Sequence, residues 1–363
     1  MLTDTDYMAR AFALSERGRG RTSPNPMVGA VVVDRDGVIV GSGAHEYAGG
    51  PHAEVHALGA AGARAAGATL YCTLEPCSHT GRTRPCAPLV ADAGITRAVI
   101  ALEDPNPLVA GGGIAHLRAR GIEVIVGPLA DEVRRLNGPF LTLMRSHRPF
   151  VTMKVALSLD GRVAAAPGAR TPLTGAAANR LIHRERAEVD AIAVGSGTML
   201  SDDPRLTPRG AFRLRPLVRV IFDSRLRTPP AARVLSTLAA GPVIIVTTRA
   251  AFAAAPDRVA ALAGAGAQIE TVSGASPLVE ALDRLATLGV SSLVVEGGPV
   301  LHRSFWDARL IDRVQAFIAP KSLGPGAVAW LPFPVFSGGA LVNVDARPVG
   351  EDVLIEAYVH RID

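Results

Sequence analysis

The sequence predicts an α/β protein of two domains, each a β-sheet faced by helices, and three observations predict it. At 363 residues the chain is too long for one hydrophobic core. Short apolar runs of strand type alternate with helical segments through both halves. The alternation is interrupted at "SHRPF", residues 146–150, by Arg148 and Pro149, and a second series then starts. The expected domains are therefore 1–147 and 148–363.

In the first series a helix over about 6–18 precedes "MVGAVVV", the turn "DRDG" and "VIVGSGA", which read as a hairpin. A helix over 53–64, strand "ATLYCTL", helix 86–93 and strand "RAVIAL" follow. Helix 113–120, strand "EVIVG" and helix 130–146 close the block. The second series opens with strand "FVTMKVALSLDGRVA", helix 175–188 and strands "DAIAVGS", "LVRVIFDS" and "PVIIVTT". An Ala-rich helix 251–264, strand "QIETV", helix 277–288, strand "SSLVVEGG" and helix 299–309 come next. The chain ends on β-type segments, "RVQAFIAP" and "DVLIEAYVH". No internal repeat is evident.

With 48% hydrophobic and 20% charged residues, the chain has the composition of a globular protein, not a disordered one. No apolar run approaches the ~18 residues of a membrane span. The start, "MLTDTDYMARAFALSERG", reads as an amphipathic helix rather than a secretion signal. Three clustered cysteines argue against a disulfide framework, so a cytoplasmic protein without a membrane partner is expected. Residues 1–147 carry 14 basic and 14 acidic residues, so the whole net charge of +5 lies in the second half. Between Arg205 and Arg233 eight arginines meet one acid, Asp223. Basic excess without Lys/Arg runs or interleaved aromatics points to phosphorylated small molecules and away from nucleic acid.

All three cysteines, Cys72, Cys77 and Cys86, lie in "LYCTLEPCSHTGRTRPCAPL". Upstream, "GPHAEVHAL" puts His52 and Glu54 where a helix begins after Pro51. One imidazole and two thiolates, Cys77 and Cys86, suit a tetrahedral zinc with one open position. Glu54 stands beside a ligand without being needed as one, which frees it to move protons. That is the zinc-deaminase pattern, H-x-E followed by P-C and a second Cys. Cys72 fits a buried strand. The alternatives are a two-His site from His52 and His56, at i and i+4, and a four-ligand structural zinc using Cys72 or His79.

The second element is "PCSHTGRTRPC", longer than the usual P-C-x-x-C. With "PNPMVGAVVV" upstream and "DPNP" downstream, it resembles the bifunctional deaminase/reductase family of riboflavin biosynthesis. The resemblance implies a cytidine-deaminase-like α/β/α domain acting on 2,5-diamino-6-ribosylamino-pyrimidinone 5′-phosphate. It implies one zinc per chain on His52, Cys77 and Cys86, with Glu54 as acid/base. It places Asn25, His45 and His79 on the base and sugar side, and Arg82, Asp104 and Asn106 near the ribose phosphate. Met27 stands where the family often has Asn.

The second half has no G-x-G-x-x-G fingerprint. Its "SSLVVEGGPVLHRSFW" puts two glycines between a strand ending in Glu296 and a helix from Pro299, a junction that can cradle a phosphate or simply turn tightly. "MKVALSLDGRVA" and "GSGTMLSDDPRLTPR" extend the resemblance to the family's reductase half, implying a dihydrofolate-reductase-like α/β domain that uses NADPH. It implies cofactor contacts at Ala156, Pro172, Thr198, Asp202, Ser224 and Gly298, Pro299, Val300, Leu301, His302, Arg303 and Ser304. Substrate contacts are implied at Lys154, Arg170, Arg186, Leu206, Arg209 and Glu296. Pro172 replaces a common Trp, and Arg170 a common Ser. The alternative for Asp202 and Asp203 is an N-cap pair for a short turn. The implied partner is a phosphorylated pyrimidine nucleotide, and the implied assembly a homo-oligomer. The rivals are a deaminase of another nucleotide or a nucleic-acid base with a repurposed reductase half, and a zinc-stabilised binding protein; Glu54 speaks against the latter.

Overall fold

A computed structural model describes residues 2–79, 84–107, 109–332, 335–336 and 341–360. The chain divides into two compact units, Met1–His147 and Arg148–Arg361.

The first unit runs α1 (Asp4–Ser15), β1 (Gly29–Val33), β2 (Ile39–Ala44), α2 (Ala53–Ala61), β3 (Thr69–Cys72), α3 (Cys86–Asp92) and β4 (Arg97–Ile100). It continues through α4 (Gly112–Ala119), β5 (Glu123–Val126), α5 (Ala130–Leu136) and α6 (Gly138–Ser146). Its five-stranded sheet has the order β2-β1-β3-β4-β5. The first three strands pair antiparallel, as the hairpin required, and the last two join in parallel. The β1 run "GAVVV" is wholly buried because helices cover both faces.

Glycines set how closely those helices approach. A Cβ on Gly29 would stand 2.0 Å from the Ala11 carbonyl oxygen of α1. On Gly41 and Gly43 it would stand 2.1 Å and 2.4 Å from the Ala57 and Ala53 carbonyl oxygens of α2. Gly29 pairs with Ala44 and Ala30 with Gly43, so by the pleat Gly29 faces one side and Gly41 and Gly43 the other. The sheet is thus the middle layer of an α/β/α sandwich, and α2 lies directly on β2.

The expected helix 130–146 is two helices. Asn137 leaves helical geometry between them, and Pro139 supplies no amide to carry the first helix on. The Asn137 side chain accepts from Met27 N at 2.7 Å and donates to Met27 O at 3.0 Å, pinning the loop that carries Asn25.

The second unit begins with β6 (Phe150–Ser158), β7 (Arg162–Ala164), α7 (Ala176–Glu188), β8 (Ala191–Gly195), α8 (Ser196–Asp202) and β9 (Val218–Phe222). Next come β10 (Val243–Thr248), α9 (Arg249–Ala254), α10 (Pro256–Gly264), β11 (Ala267–Val272), α11 (Pro277–Thr287) and β12 (Ser292–Val295). It ends with α12 (Pro299–Asp307), β13 (Arg313–Ala319), β14 (Val328–Ala329), β15 (Val342–Val349) and β16 (Asp352–Tyr358). Nine strands form one sheet, β11-β10-β9-β8-β12-β6-β13-β16-β15, parallel from β11 to β13 and antiparallel beyond; β14 and β7 pair separately.

Three expectations are corrected here. The first strand stops at Ser158, because Asp160 and Gly161 turn the chain and Asp160 takes the Ser158 hydroxyl and the Leu323 and Gly324 amides. The Ala-rich helix breaks at Ala255, before Pro256, where helical geometry is disfavoured. Asp202 and Asp203 end α8 instead of starting a helix: Asp203 is its left-handed C-cap, and its Oδ1 accepts from Arg233 N at 2.8 Å.

The glycine seam yields a first expected outcome. Gly43→Ala drives a methyl into the α2 backbone and lowers stability by ~1–3 kcal/mol. Thermal unfolding checks it, and an unchanged midpoint would show that α2 does not rest on β2 this closely.

Candidate functional site

In the first unit three donor atoms converge from three separate segments. His52 is the N-cap residue of α2, Cys86 is the first residue of α3, and Cys77 lies in the loop after β3. His52 Nδ1 stands 3.6 Å from Cys77 Sγ and 3.3 Å from Cys86 Sγ, and all three donors lie within 4.8 Å of one another. A tetrahedral zinc with ~2.0–2.3 Å bonds holds neighbouring ligand atoms ~3.5 Å apart, so the trio fits the metal. The Cys86 amide, at the start of α3, donates to Cys77 Sγ at 3.3 Å. The Cys77 thiol is held well below its usual range, first by its hydrogen bond with the Cys86 thiol and then by His52 and that amide. His56 is exposed and stands outside the trio, and Cys72 is fully buried in β3. Among the described residues the cluster therefore has three protein donors, as a centre with an open position requires.

Glu54, the second residue of α2, is 3% exposed; burial pushes its carboxyl up, opposed mainly by His52. His45, also buried, packs edge-on against His52 with ring centroids 5.4 Å apart. Its Nδ1 faces the Pro51 carbonyl at 3.0 Å and so carries the proton, leaving Nε2 to accept from Asn25 Nδ2 at 3.3 Å. Burial lowers the His45 pKa, in keeping with a neutral ring. His79 Nδ1 is buried without a hydrogen-bond partner among the described residues. Asp104 is buried and pushed up to about 6, chiefly by that burial. Its Oδ1 accepts from Asn106 N at 2.9 Å. Arg82 lies outside the described residues.

Glu75 is a residue that motif reading passed over. Its Oε1 accepts from Gly113 N at 2.8 Å and Ile114 N at 3.0 Å. Its Oε2 accepts from Asp104 N at 3.1 Å and Gly111 N at 3.0 Å. One buried carboxylate, two residues before Cys77, thus ties the 104–114 segment to the metal loop. The only sequence signal was an acid inside "TLEPC", overshadowed there by the cysteine beside it.

In the second unit a cleft of about 1540 Å3 opens at the carboxyl ends of the parallel strands. That exceeds the ~300–1,000 Å3 of ordinary ligand pockets and leaves room for a cofactor with a substrate. Ala156, Pro172, Thr198, Asp202, Ser224, Gly298, Pro299, Val300, Leu301 and Ser304 line it, as do Lys154, Arg170, Arg186, Leu206, Arg209 and Glu296. His302 and Arg303 do not. His302 is fully buried, its Nδ1 accepting from Trp330 Nε1 at 2.9 Å and its Nε2 facing the Val295 carbonyl at 3.2 Å, while Arg303 pairs with Asp307. Both side chains leave the cleft because α12 turns them away from its lining.

Three charges meet on the cleft floor. Arg186 grips Glu296 through two bonds, Nε to Oε1 at 2.9 Å and Nη2 to Oε2 at 2.5 Å, and Lys154 Nζ stands 4.0 Å from Oε2. Burial alone would raise the Glu296 carboxyl, but Arg186 and Lys154 outweigh it and hold it at about 2. Burial lowers the Lys154 pKa, against the pull of Glu296. The other lysine, Lys321, is occupied with the Leu173 carbonyl. Asn179 and His183 were not anticipated; they stand at i and i+4 on α7, with Arg186 at i+7, and form one stripe facing the cleft. The arginine cluster divides. Arg205, Arg209, Arg227 and Arg233 line the cleft, whereas Arg213 caps the carbonyl end of α7, Arg215 pairs with Asp190 and Arg219 is fully buried among carbonyls.

The family described as cytidine and deoxycytidylate deaminase zinc-binding region matches residues 1–102, and the RibD C-terminal domain matches 149–353. The riboflavin biosynthesis protein RibD of Aquifex aeolicus is 44% identical over 89% of this chain and 88% of its own length. That of Escherichia coli is 41% identical, covering 90% of each chain. Among solved structures, Acinetobacter baumannii RibD superposes with a TM-score of 0.86 at 36% identity, covering 98% of both chains. A diaminohydroxyphosphoribosylaminopyrimidine deaminase/5-amino-6-(5-phosphoribosylamino)uracil reductase from Thermotoga maritima gives 0.84 at 35%, again over 98% of both.

The Glu75 arrangement has a measurable consequence. Glu75→Gln turns an NH2 group towards amides that need an acceptor, at ~1–3 kcal/mol. Hydrogen exchange of peptides spanning 104–114 rises ~10–100-fold while the sheet strands stay protected. Unchanged exchange there would contradict the tie.

Proposed function

The chain belongs to the riboflavin-biosynthesis bifunctional deaminase/reductase family, and from that premise we propose how its residues divide the work. It is a bifunctional enzyme of riboflavin biosynthesis, a zinc-dependent deaminase and an NADPH-dependent reductase. The first half takes 2,5-diamino-6-ribosylamino-pyrimidinone 5′-phosphate, replaces an amino group by oxygen from water and releases ammonia. The second half reduces the ribosyl group of the deaminated product to a ribityl chain. The observation that carries the reading is Glu54, a buried carboxyl placed against the three-donor cluster where a structural metal would have no use for it.

His52, Cys77 and Cys86 would hold the zinc. Zinc, when bound, brings the ionisation of a water close to neutral pH. Glu54 moves the proton from that water to the departing amine nitrogen, and its raised pKa suits a group that must both take and return it. Neutral His45, fixed by the Pro51 carbonyl, and Asn25 orient the base. His79 Nδ1, without a hydrogen-bond partner among the described residues, faces the same substrate. Asp104 and Asn106, held through Glu75, serve the ribose-phosphate end of the substrate.

When bound in the cleft, NADPH would supply the hydride that reduces C1′ of the opened ribose. The chain's part is to position both molecules and provide the balancing proton. Lys154 Nζ, the buried ammonium on the floor, is the group we assign to that proton. Glu296 and Arg186 fix its surroundings, and Arg209 and Arg170 hold the phosphorylated sugar. A nucleic-acid base as substrate is not favoured: residues 1–147 carry balanced charge, and the second unit holds a cleft with room for a cofactor and a small substrate.

Two variants test the division together. Glu54→Gln keeps bound zinc but loses ammonia release by at least ~100-fold. Glu296→Gln leaves ammonia release unchanged and slows NADPH oxidation by at least ~10-fold. Metal analysis with separate ammonia and NADPH assays reads both, and deamination surviving in the Glu54 variant would remove the assignment.

A further inference from the structure

Trp330 stands one residue beyond β14 and is buried, although β14 belongs to a two-stranded piece outside the main sheet. That piece pairs Val328 with Ala164 of β7, and the Trp330 amide donates to the Gly161 carbonyl at 3.4 Å. Val163, Ala164 and Val328 line the cleft, as does Arg170 in the segment leaving β7, so together they form one wall of it. The Trp330 side chain turns from that wall into the core, where its Nε1 donates to His302 Nδ1 at 2.9 Å. His302 Nε2 lies 3.2 Å from the carbonyl of Val295, the last residue of β12. The next residue is Glu296, on the cleft floor. A carbonyl only accepts and an indole only donates, so the ring carries its proton on Nε2 and its lone pair on Nδ1. Burial lowers the His302 pKa to about 4, which keeps the ring neutral at neutral pH.

We infer that His302 is a positioning residue for the reduction: it holds the wall that carries Arg170 in place against the floor that carries Glu296. This rests on reading the cleft as the reductase site. The imidazole lies behind the cleft lining, so its effect runs through the two groups it joins. On the floor side, Gly297 and Gly298 follow Glu296, and a glycine backbone has many conformations open to it. The bond from His302 back to Val295 closes that loop on itself. On the wall side, β14 is two residues long, and a ladder so short does not hold a wall by itself. Asp160 fastens the base of the wall through the Leu323 and Gly324 amides, and the indole fastens it to the core. The Trp330 ring also packs against Phe336, with centroids 6.3 Å apart. Transfer between two bound molecules tolerates little misalignment, ~1 Å costing ~100-fold in rate. A wall that drifts from the floor therefore slows reduction before it prevents binding.

The test uses the full-length, zinc-loaded protein, with NADPH added once ammonia release from the diaminopyrimidinone nucleotide is complete, so that reduction is read alone. His302→Leu removes the tie and lowers kcat for NADPH oxidation ~10–100-fold. The calorimetric Kd for NADPH and the rate of ammonia release stay within ~3-fold of wild type. Trp330→Phe deletes the donor, keeps an aromatic ring, and lowers kcat in the same way; the double variant is no slower than the slower single one. His302→Gln, which can accept from the indole and donate to the carbonyl, restores most of kcat. Should His302→Leu fail to fold, Trp330→Phe decides. An unchanged kcat in Trp330→Phe overturns the inference. So does a fall in kcat matched by an equal loss of NADPH binding that His302→Gln does not rescue, the mark of a merely structural histidine. A wild type that neither binds nor oxidises NADPH removes the reading of the cleft, and the inference with it, a result distinct from the other two.

Discussion

Everything in the first half depends on how closely α2 lies on β2. His52 and Glu54 occupy the start of that helix, and its height above the sheet is set by Gly41 and Gly43, where no Cβ could be accommodated. From that position His52 Nδ1 reaches two sulfurs delivered by other segments. The Cys77 loop is placed in turn by the Cys86 amide on its sulfur and by Glu75, whose carboxylate gathers four amides. Metal ligands alone would not need such a frame. A proton-moving carboxyl and a substrate do, because both must meet the same open position.

The second half manages charge by a different route. Its cleft lies at the carboxyl ends of parallel strands, where α/β sheets generally bind ligands, and a carboxylate between two cations forms the floor. Breaking such a buried set leaves an unpaired charge, which costs more than the pair itself contributes. The cluster therefore serves position more than stability. Arg213, three of whose bonds go to carbonyls at the end of α7, steadies the helix that carries Arg186.

The sequence made the α/β layering and most elements legible, because apolar periodicity and turn residues agreed. It misread continuity wherever one residue interrupted a good pattern: Asn137 before Pro139, Ala255 before Pro256, and the Asp160–Gly161 turn. It passed over β15, an exposed edge strand containing Pro348, which buries too little to show a pattern. For the sites, spacing and resemblance pointed to the residues that carry chemistry. They could not show Glu75, whose work is done through backbone amides, nor which arginines of one cluster face the cleft. They also could not tell that His302 turns into the core, since a helix segment named as a run has two sides.

In the proposed function one chain performs deamination and then reduction. The direct measurement follows ammonia and NADPH together after the diaminopyrimidinone nucleotide is added to the zinc-loaded wild-type protein. Ammonia release is expected first, then NADPH oxidation after a lag, reaching one NADPH per ammonia. NADPH oxidation without prior ammonia release, or ammonia release that never leads to it, would contradict that order.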